Sequence, residues 1–298
     1  MSLISANKVL VRDLWPAEIP RARNDNKPYD KLDGKEVAPD TLDDMMAWAW
    51  VKDRGYGIRN RWSLMHAVGD PDSLVPLHEV AFRVQGFVVD MDLSVLGDWN
   101  RQEHGAAAAR QFLVIDGGQH ADIFAKQVDT LNLVRQLVAR STKSKDVQEQ
   151  GRKRIHIYRP VFTKRMPGSE DSGCLSKDDD PSGQARRMRM RWIVSDKLVF
   201  GALSAQGQLQ AASAGKIKKG DFVDVKIIPE IFSPKGAASR DAKVSFKMTR
   251  IVKLQSKTAV APAVAQTVVE KHAVTAVEQD EWDKALGASE ADTAMKQD

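Results

Sequence analysis

The residues with the most chemistry to offer in this chain are its cations. Between Arg140 and Arg165 stand Arg140, Lys143, Lys145, Arg152, Lys153, Arg154, Arg159, Lys164 and Arg165, opposed only by Asp146 and Glu149, a net charge of +7 in 26 residues. Such a patch draws in a phosphate backbone by counterion release, whatever the base sequence. Within it, Arg154-Ile-His-Ile-Tyr-Arg-Pro-Val-Phe162 alternates. A strand there places Arg154, His156, Tyr158 and Phe162 on one face and Ile155, Ile157 and Val161 on the core side, with Arg159 on the core side by phase. A cation beside exposed rings on a sheet suits bases that stack on a platform. Arg187-Met-Arg-Met-Arg-Trp192 alternates again. As a strand it sets Arg187, Arg189 and Arg191 in a row ~7 Å apart, twice the ~3.3 Å rise, with Met188, Met190 and Trp192 inward. In the last extended segment Lys243 and Lys247 oppose Val244, Phe246 and Met248.

Other chemistry is sparse. The sequence has no G-x-x-x-x-G-K-[ST] loop, no G-x-G-x-x-G, no H-E-x-x-H and no G-x-S-x-G elbow. Glu103-His104 and His120-x-Asp122 offer metal-ligating side chains, and Asp90 and Asp92 share a strand face that suits a hard cation. Scattered histidines in surface or satisfied core positions and a solvated strand end are the stronger readings. Cys174, the one cysteine, lies in a polar loop and forms no internal disulfide. No catalytic residue, metal or cofactor is expected, and the chain does not read as an enzyme.

These cations need elements to hold them. Residues 1–40, rich in Pro, Asn, Asp and Lys, read as an irregular N-terminal arm with short extended pieces. Residues 41–150 read as a mixed α/β region. Thr41-Leu-Asp-Asp44 resembles a capping box opening a short helix at about 41–54; His78–Asp92 reads as a strand with a bulge at Gly86; residues 101–116 fit helix or strand. Phe124, Val128, Leu131, Val134 and Val138 form the apolar stripe of a helix over 120–140. From about 152 the period falls to two, predicting strands at 154–162, 186–194, 197–203, 221–228 and 243–254. Residues 151–255 therefore read as a small β barrel or sandwich, and 256–298 as a disordered acidic tail. The class is α+β, strand-rich, with helices in the N-terminal half and a barrel in the C-terminal half.

The end of the barrel segment, Lys216-Ile-Lys-Lys-Gly-Asp-Phe-Val-Asp-Val-Lys-Ile-Ile228 followed by Lys243–Leu254, resembles the last hairpin of the OB-fold in bacteriophage-type single-stranded-DNA-binding proteins. Those proteins also end in flexible acidic tails. The resemblance covers about 186–298. It implies an OB-like barrel that binds single-stranded nucleic acid, DNA ahead of RNA. The basic cluster and the strand phases nominate the contacts: Arg152, Lys153, Arg154, His156, Tyr158, Arg159, Lys164, Arg165, Arg187, Arg189, Arg191, Lys243 and Lys247. The resemblance also implies a tail, with Asp280, Glu281, Trp282 and Asp283, that recruits replication or recombination proteins or competes for the same face. Its fit is incomplete: the chain ends Met295-Lys-Gln-Asp298 with no terminal aromatic, and the 150-residue N-terminal part exceeds what such a protein needs.

The charge is divided to match. The chain carries +5 in all; residues 257–298 hold four lysines against eight acids, which leaves +9 on the body. Forty-two per cent apolar residues in 298 suffice for a substantial core. The opening Met1-Ser-Leu-Ile-Ser-Ala-Asn-Lys8 does not read as a secretory signal, and no apolar run reaches the ~20 residues of a bilayer span, so a cytoplasmic protein (of a host, if viral) without membrane contact is expected. A homo-oligomer is compatible with the arm and tail. The alternative reading is a viral or phage structural or assembly protein whose basic face meets a genome or a neighbouring subunit.

Overall fold

Alternation of apolar and polar residues, which recurs along much of this chain, produces a large, mostly antiparallel sheet. The computed structural model describes residues 1–53, 61–67, 78–144, 150–165, 175–194, 197–233 and 241–257. In chain order the strands are β1 (Ser2–Ala6), β2 (Val9–Leu10), β3 (Val37–Ala38), β4 (Ala49–Asp53), β5 (Arg61–His66), β6 (Phe82–Asp92), β7 (Arg110–Asp116), β8 (Arg154–Pro160), β9 (Thr163–Lys164), β10 (Trp192–Ile193), β11 (Val199–Leu203), β12 (Leu209–Ala211), β13 (Phe222–Phe232) and β14 (Lys243–Gln255). The helices are α1 (Val11–Leu14), α2 (Leu42–Trp48), α3 (Ala121–Thr142) and α4 (Gln184–Arg187). Residues 1–255 form one unit and 256–298 a second. None of the described helices is long and apolar enough to cross a membrane.

Five strands close a barrel. β6 pairs with β7, β7 with β8, β8 in parallel with β14, β14 with β13, and β13 back onto β6. Numbered along the chain, the barrel strands therefore run 1-2-3-5-4-1, with one parallel pair. This five-stranded arrangement is OB-like, and the α+β, strand-rich class read from the sequence holds. β13 and β14 outrun the barrel: β13 continues onto β5 and then β4, and β14 onto β11 and β12. Register shifts at Phe222/Val223 and Lys226/Ile227 mark where the long hairpin bends.

The barrel does not lie within 151–255. Two of its five strands, β6 and β7, come from residues 41–150, read from the sequence as a mixed α/β region, because Phe82–Phe87 pairs with Phe222–Ile227 along its whole length. Gly86 serves that closure. A Cβ there would stand 2.7 Å from the Asp116 carbonyl oxygen and 3.0 Å from Phe124, so glycine permits β6 to sit against β7 and α3. The bulge expected at Gly86 falls three residues later, at Val89, between Val88 and Asp90.

α3 follows its stripe: Phe124, Val128, Leu131, Val134 and Val138 are buried. Gln127 adds a polar clasp, accepting from the Gln85 backbone N–H at 2.7 Å and donating to the Gln85 carbonyl at 2.8 Å. α2 opens on the Thr41 cap, whose hydroxyl accepts from the Asp44 N–H at 3.2 Å. It stops at Trp48 rather than about 54 because Ala49–Asp53 leaves to pair with β5.

The first 40 residues are short extended and irregular pieces, as read, yet they are built into the body. β1 pairs in parallel with β6 and β3, and Leu3, Ile4, Leu10, Val11, Trp15 and Ile19 are buried. A buried ionic cluster fastens them. Arg83 donates to both Asp224 carboxylate oxygens (2.6–3.1 Å) and to both oxygens of Asp25 (2.7 and 2.8 Å), and Gln85 donates to Asp224 at 2.9 Å. Burial alone would ease the proton off Arg83, but the charge of Asp224 and the hydrogen bonds to both carboxylates outweigh it and raise its pKa.

Candidate nucleic-acid interface

In an OB-like barrel, ligands lie across the second and third strands, which here are β7 and β8. In β8, Ile155, Ile157 and Arg159 are buried, while Arg154, His156 and Pro160 are exposed and Tyr158 is half-exposed. In β7, Gln111, Leu113 and Ile115 are buried, and Arg110, Phe112 and Asp116 face outward. Register sets these residues side by side: Arg110 opposite Pro160, Phe112 opposite Tyr158 and Asp116 opposite Arg154, with the buried Val114 opposite His156. On the other flank of β8, Lys247 of β14 is level with Tyr158. The face thus has two rings at its centre, cations at both ends and one more cation at the side.

The Arg110 guanidinium lies 5.8 Å from the Tyr158 ring centroid, within cation–π range. Lys153 and Arg154 are exposed at the start of β8, and Arg152 beside them pairs with Asp129 at 2.9 Å. Lys243 has the outward phase of Lys247, four residues earlier on β14. The β6 side is acidic instead. Asp90 pairs with Lys219 at 2.6 Å, a hydrogen bond that keeps its carboxyl below the ordinary range, and Asp92 accepts from the Ser94 N–H and hydroxyl. The cations of this face thus lie on β7, β8 and β14, while the carboxylates of Asp90 and Asp92 lie on β6.

The structure brings together Lys153, Arg154, His156, Tyr158, Lys243 and Lys247 from the expected set. Arg159 does not join them: it is 3% exposed and its guanidinium donates to the Met248 carbonyl at 3.3 Å inside the barrel. Its strand phase, not its charge, fixes its place. Phe162 also leaves the face, since β8 ends at Pro160 and the ring packs edge-on against Trp99 at 4.9 Å.

Arg187, Arg189 and Arg191 do not form a strand row. Residues 184–187 are a helical turn, 188–191 continue as turns, and only Trp192–Ile193 is extended. The Asp180 carboxylate accepts the Arg186 N–H at 3.0 Å after Gly183 at φ +65°, which starts a helix. Ala185 and Met188, three apart, are then both buried. Lys164 and Arg165 sit at the β9–β10 strand pair just beyond β8, where the Arg165 N–H donates to the Arg191 carbonyl at 2.8 Å. Cys174 and the tail residues Asp280, Glu281, Trp282 and Asp283 lie outside the described residues. His120 stacks edge-on with Trp15 at 5.9 Å, and among the described residues no group of three His, Cys, Asp or Glu is arranged to hold a metal.

Arg110 and Phe112 are the members of the face absent from the sequence-based set. The signal for them was the alternation Arg110, Phe112, Val114, Asp116 against Gln111, Leu113, Ile115, masked by the alanine run before it.

No family model and no curated protein matches the chain. Among solved structures, the single-stranded DNA-binding protein from bacteriophage Enc34 is similar with a TM-score of 0.27 and 9% identity, covering 70% of this chain and 90% of that one. Its C-terminal truncation is similar at 0.25 and 8%, covering 70% and 94%. The barrel itself is defined by its strand order and closure.

Proposed function

We propose that this chain binds single-stranded nucleic acid, with DNA the first candidate, across β7, β8 and β14. The observation that carries the reading is the pairing of two outward rings, Phe112 and Tyr158, inside a rim of Arg110, Lys153, Arg154 and Lys247. Bases stack on the rings, and the cations take the phosphates. Stacking and phosphate contacts carry little base preference, so binding is largely independent of sequence. The acidic tail, of opposite sign to this face, competes for it or recruits replication and recombination proteins through Asp280–Asp283, in the cytoplasm and with a homo-oligomer allowed.

The test is fluorescence anisotropy of a labelled single-stranded oligonucleotide with the full chain and a 1–256 truncation. Four phosphate contacts give a slope of about −2.8 in log K against log salt, so affinity falls about fiftyfold between roughly 50 and 200 mM salt. The truncation is expected to bind more tightly at the lower salt. No binding by either form, or binding indifferent to salt, refutes the proposal.

A further inference from the structure

The loop between β6 and β7 and the segment after β8 build a small lobe with its own apolar cluster, which includes Leu96, Trp99 and Ala109 from the former and Phe162, Ala185 and Met188 from the latter. Arg191 reinforces the join through a 2.9 Å ion pair to Glu103, and the Val161 N–H donates to the Ala109 carbonyl at 3.0 Å. Because Arg110 pairs with Pro160, both chain segments leave the barrel at the same end of the ring-bearing face. In an OB-like barrel the loop joining the first two strands flanks the ligand, and here that loop is the lobe's foundation.

The lobe's surface turn is Arg187-Met-Arg-Met-Arg191. Met188 is buried, the side chains of Arg187 and Arg189 are exposed, and Met190 is 75% exposed, the most exposed large apolar residue of those described. Lone exposed apolar residues are common. This one stands between cations on a turn pinned by Asp180, Glu103 and a packed cluster. β8 from Arg154 to Pro160 covers only ~20 Å at ~3.3 Å per residue, short against the ~4–16 nucleotides an OB-fold can occupy.

Resting on the binding reading above, we infer that this lobe is a second, separable subsite that lengthens the bound strand. In it Arg187 and Arg189 take phosphates beyond the rings, and the Met190 thioether packs against a base face. Sulfur–aromatic contacts of this kind are worth about two- to tenfold in affinity.

The experiment compares the wild-type chain, Arg187→Ala/Arg189→Ala and Met190→Ala on single strands of ~6 and ~30 nucleotides over a salt series. On the long strand, the double substitution is expected to lower the magnitude of the salt slope by about 1.4, or 0.7 per lost contact, and Met190→Ala to weaken binding about two- to tenfold. On the short strand both variants should match wild type within about twofold, because the ring-bearing face is intact. Unchanged long-strand binding, or equal losses on both lengths, overturns the separable subsite while the ring-bearing face stands. No binding by the wild-type chain to either strand sinks the ring-bearing face and the lobe with it.

Discussion

Phe112→Ala and Tyr158→Ala are the substitutions that put the ring-bearing face most directly at risk. Stacking on an aromatic ring is worth ~1–3 kcal/mol per base by alanine substitution, or about five- to 150-fold in affinity. The two rings differ in what they give up. Arg110 already lies 5.8 Å from the Tyr158 centroid, a contact worth ~0.5–1 kcal/mol at an exposed site. A base that takes that ring must displace the guanidinium. Tyr158→Ala is therefore expected to cost ~1–2 kcal/mol and Phe112→Ala, with no such competitor, as much or more. Both side chains face outward, so thermal midpoints should move by less than roughly 5 °C. Anisotropy at fixed low salt measures the affinities. The double variant tells whether the rings share a base: a loss below the sum of the single losses means one base touches both, and additivity means two bases. Wild-type affinity in both single variants, with the fold intact, would show that the strand does not cross this face.

Two other expectations concern what holds the face in place. Arg83→Met leaves Asp224, 2% exposed, without its cation, and leaves Asp25 with Arg12 at 3.6 Å in place of the bidentate Arg83. Breaking a buried pair in this way costs about 3–5 kcal/mol, read as a shift of the urea midpoint at unchanged slope, whereas a loss under about 1 kcal/mol would mean that the N-terminal segment is held by its apolar contacts alone. His66, buried on β5 with its ring 4.6 Å from Trp48, has its pKa lowered to about 4 by burial first and then by the N-terminal ammonium and Lys35. The unfolded chain takes up this proton near pH 6.5 and the folded chain only near 4. The contribution is therefore whole above about pH 6.5 and is lost as pH falls toward 4. Full conversion gives ~3 kcal/mol, reduced toward 1–2 by solvent screening. Urea melts at several pH values should show this loss in the wild type and not in His66→Phe; identical pH profiles would remove His66 from the account.

Elements whose pattern is set by their own burial could be read from sequence, and pairings between distant segments could not. α3 and the outward phase of β8 announce themselves because every third or fourth residue, or every second, meets the core. The closure of the barrel does not: nothing local in Phe82–Asp92 says that it pairs with Phe222–Ile227. The same holds for the N-terminal 40 residues. Their Pro, Asn and Asp content describes an irregular path well, yet Asp25 is tied to Arg83 of β6, and no periodicity marks a single carboxylate as the partner of a distant arginine.

The arginines show two periods competing for one segment. In 187–192 the alternation of cation and apolar residue favours a strand, while Ala185, Met188 and Trp192, spaced by three and four, favour a helical turn. The helical set prevails because it has a start, with Gly183 at positive φ and Asp180 holding the Arg186 N–H, and because the Trp192 N–H then donates to the Met188 carbonyl at 2.9 Å. A strand row in the same place would need a partner for every other backbone group, and among the described residues the extended pairing begins at Trp192, opposite Lys164. Arg159 makes the complementary point. Its charge argues for a phosphate, its phase for the barrel interior, and phase prevails because a neighbouring carbonyl, that of Met248, is there to receive the guanidinium. Net charge in a segment thus measures how strongly a polyanion is attracted to the region, while strand phase and turn geometry determine which cations can touch it.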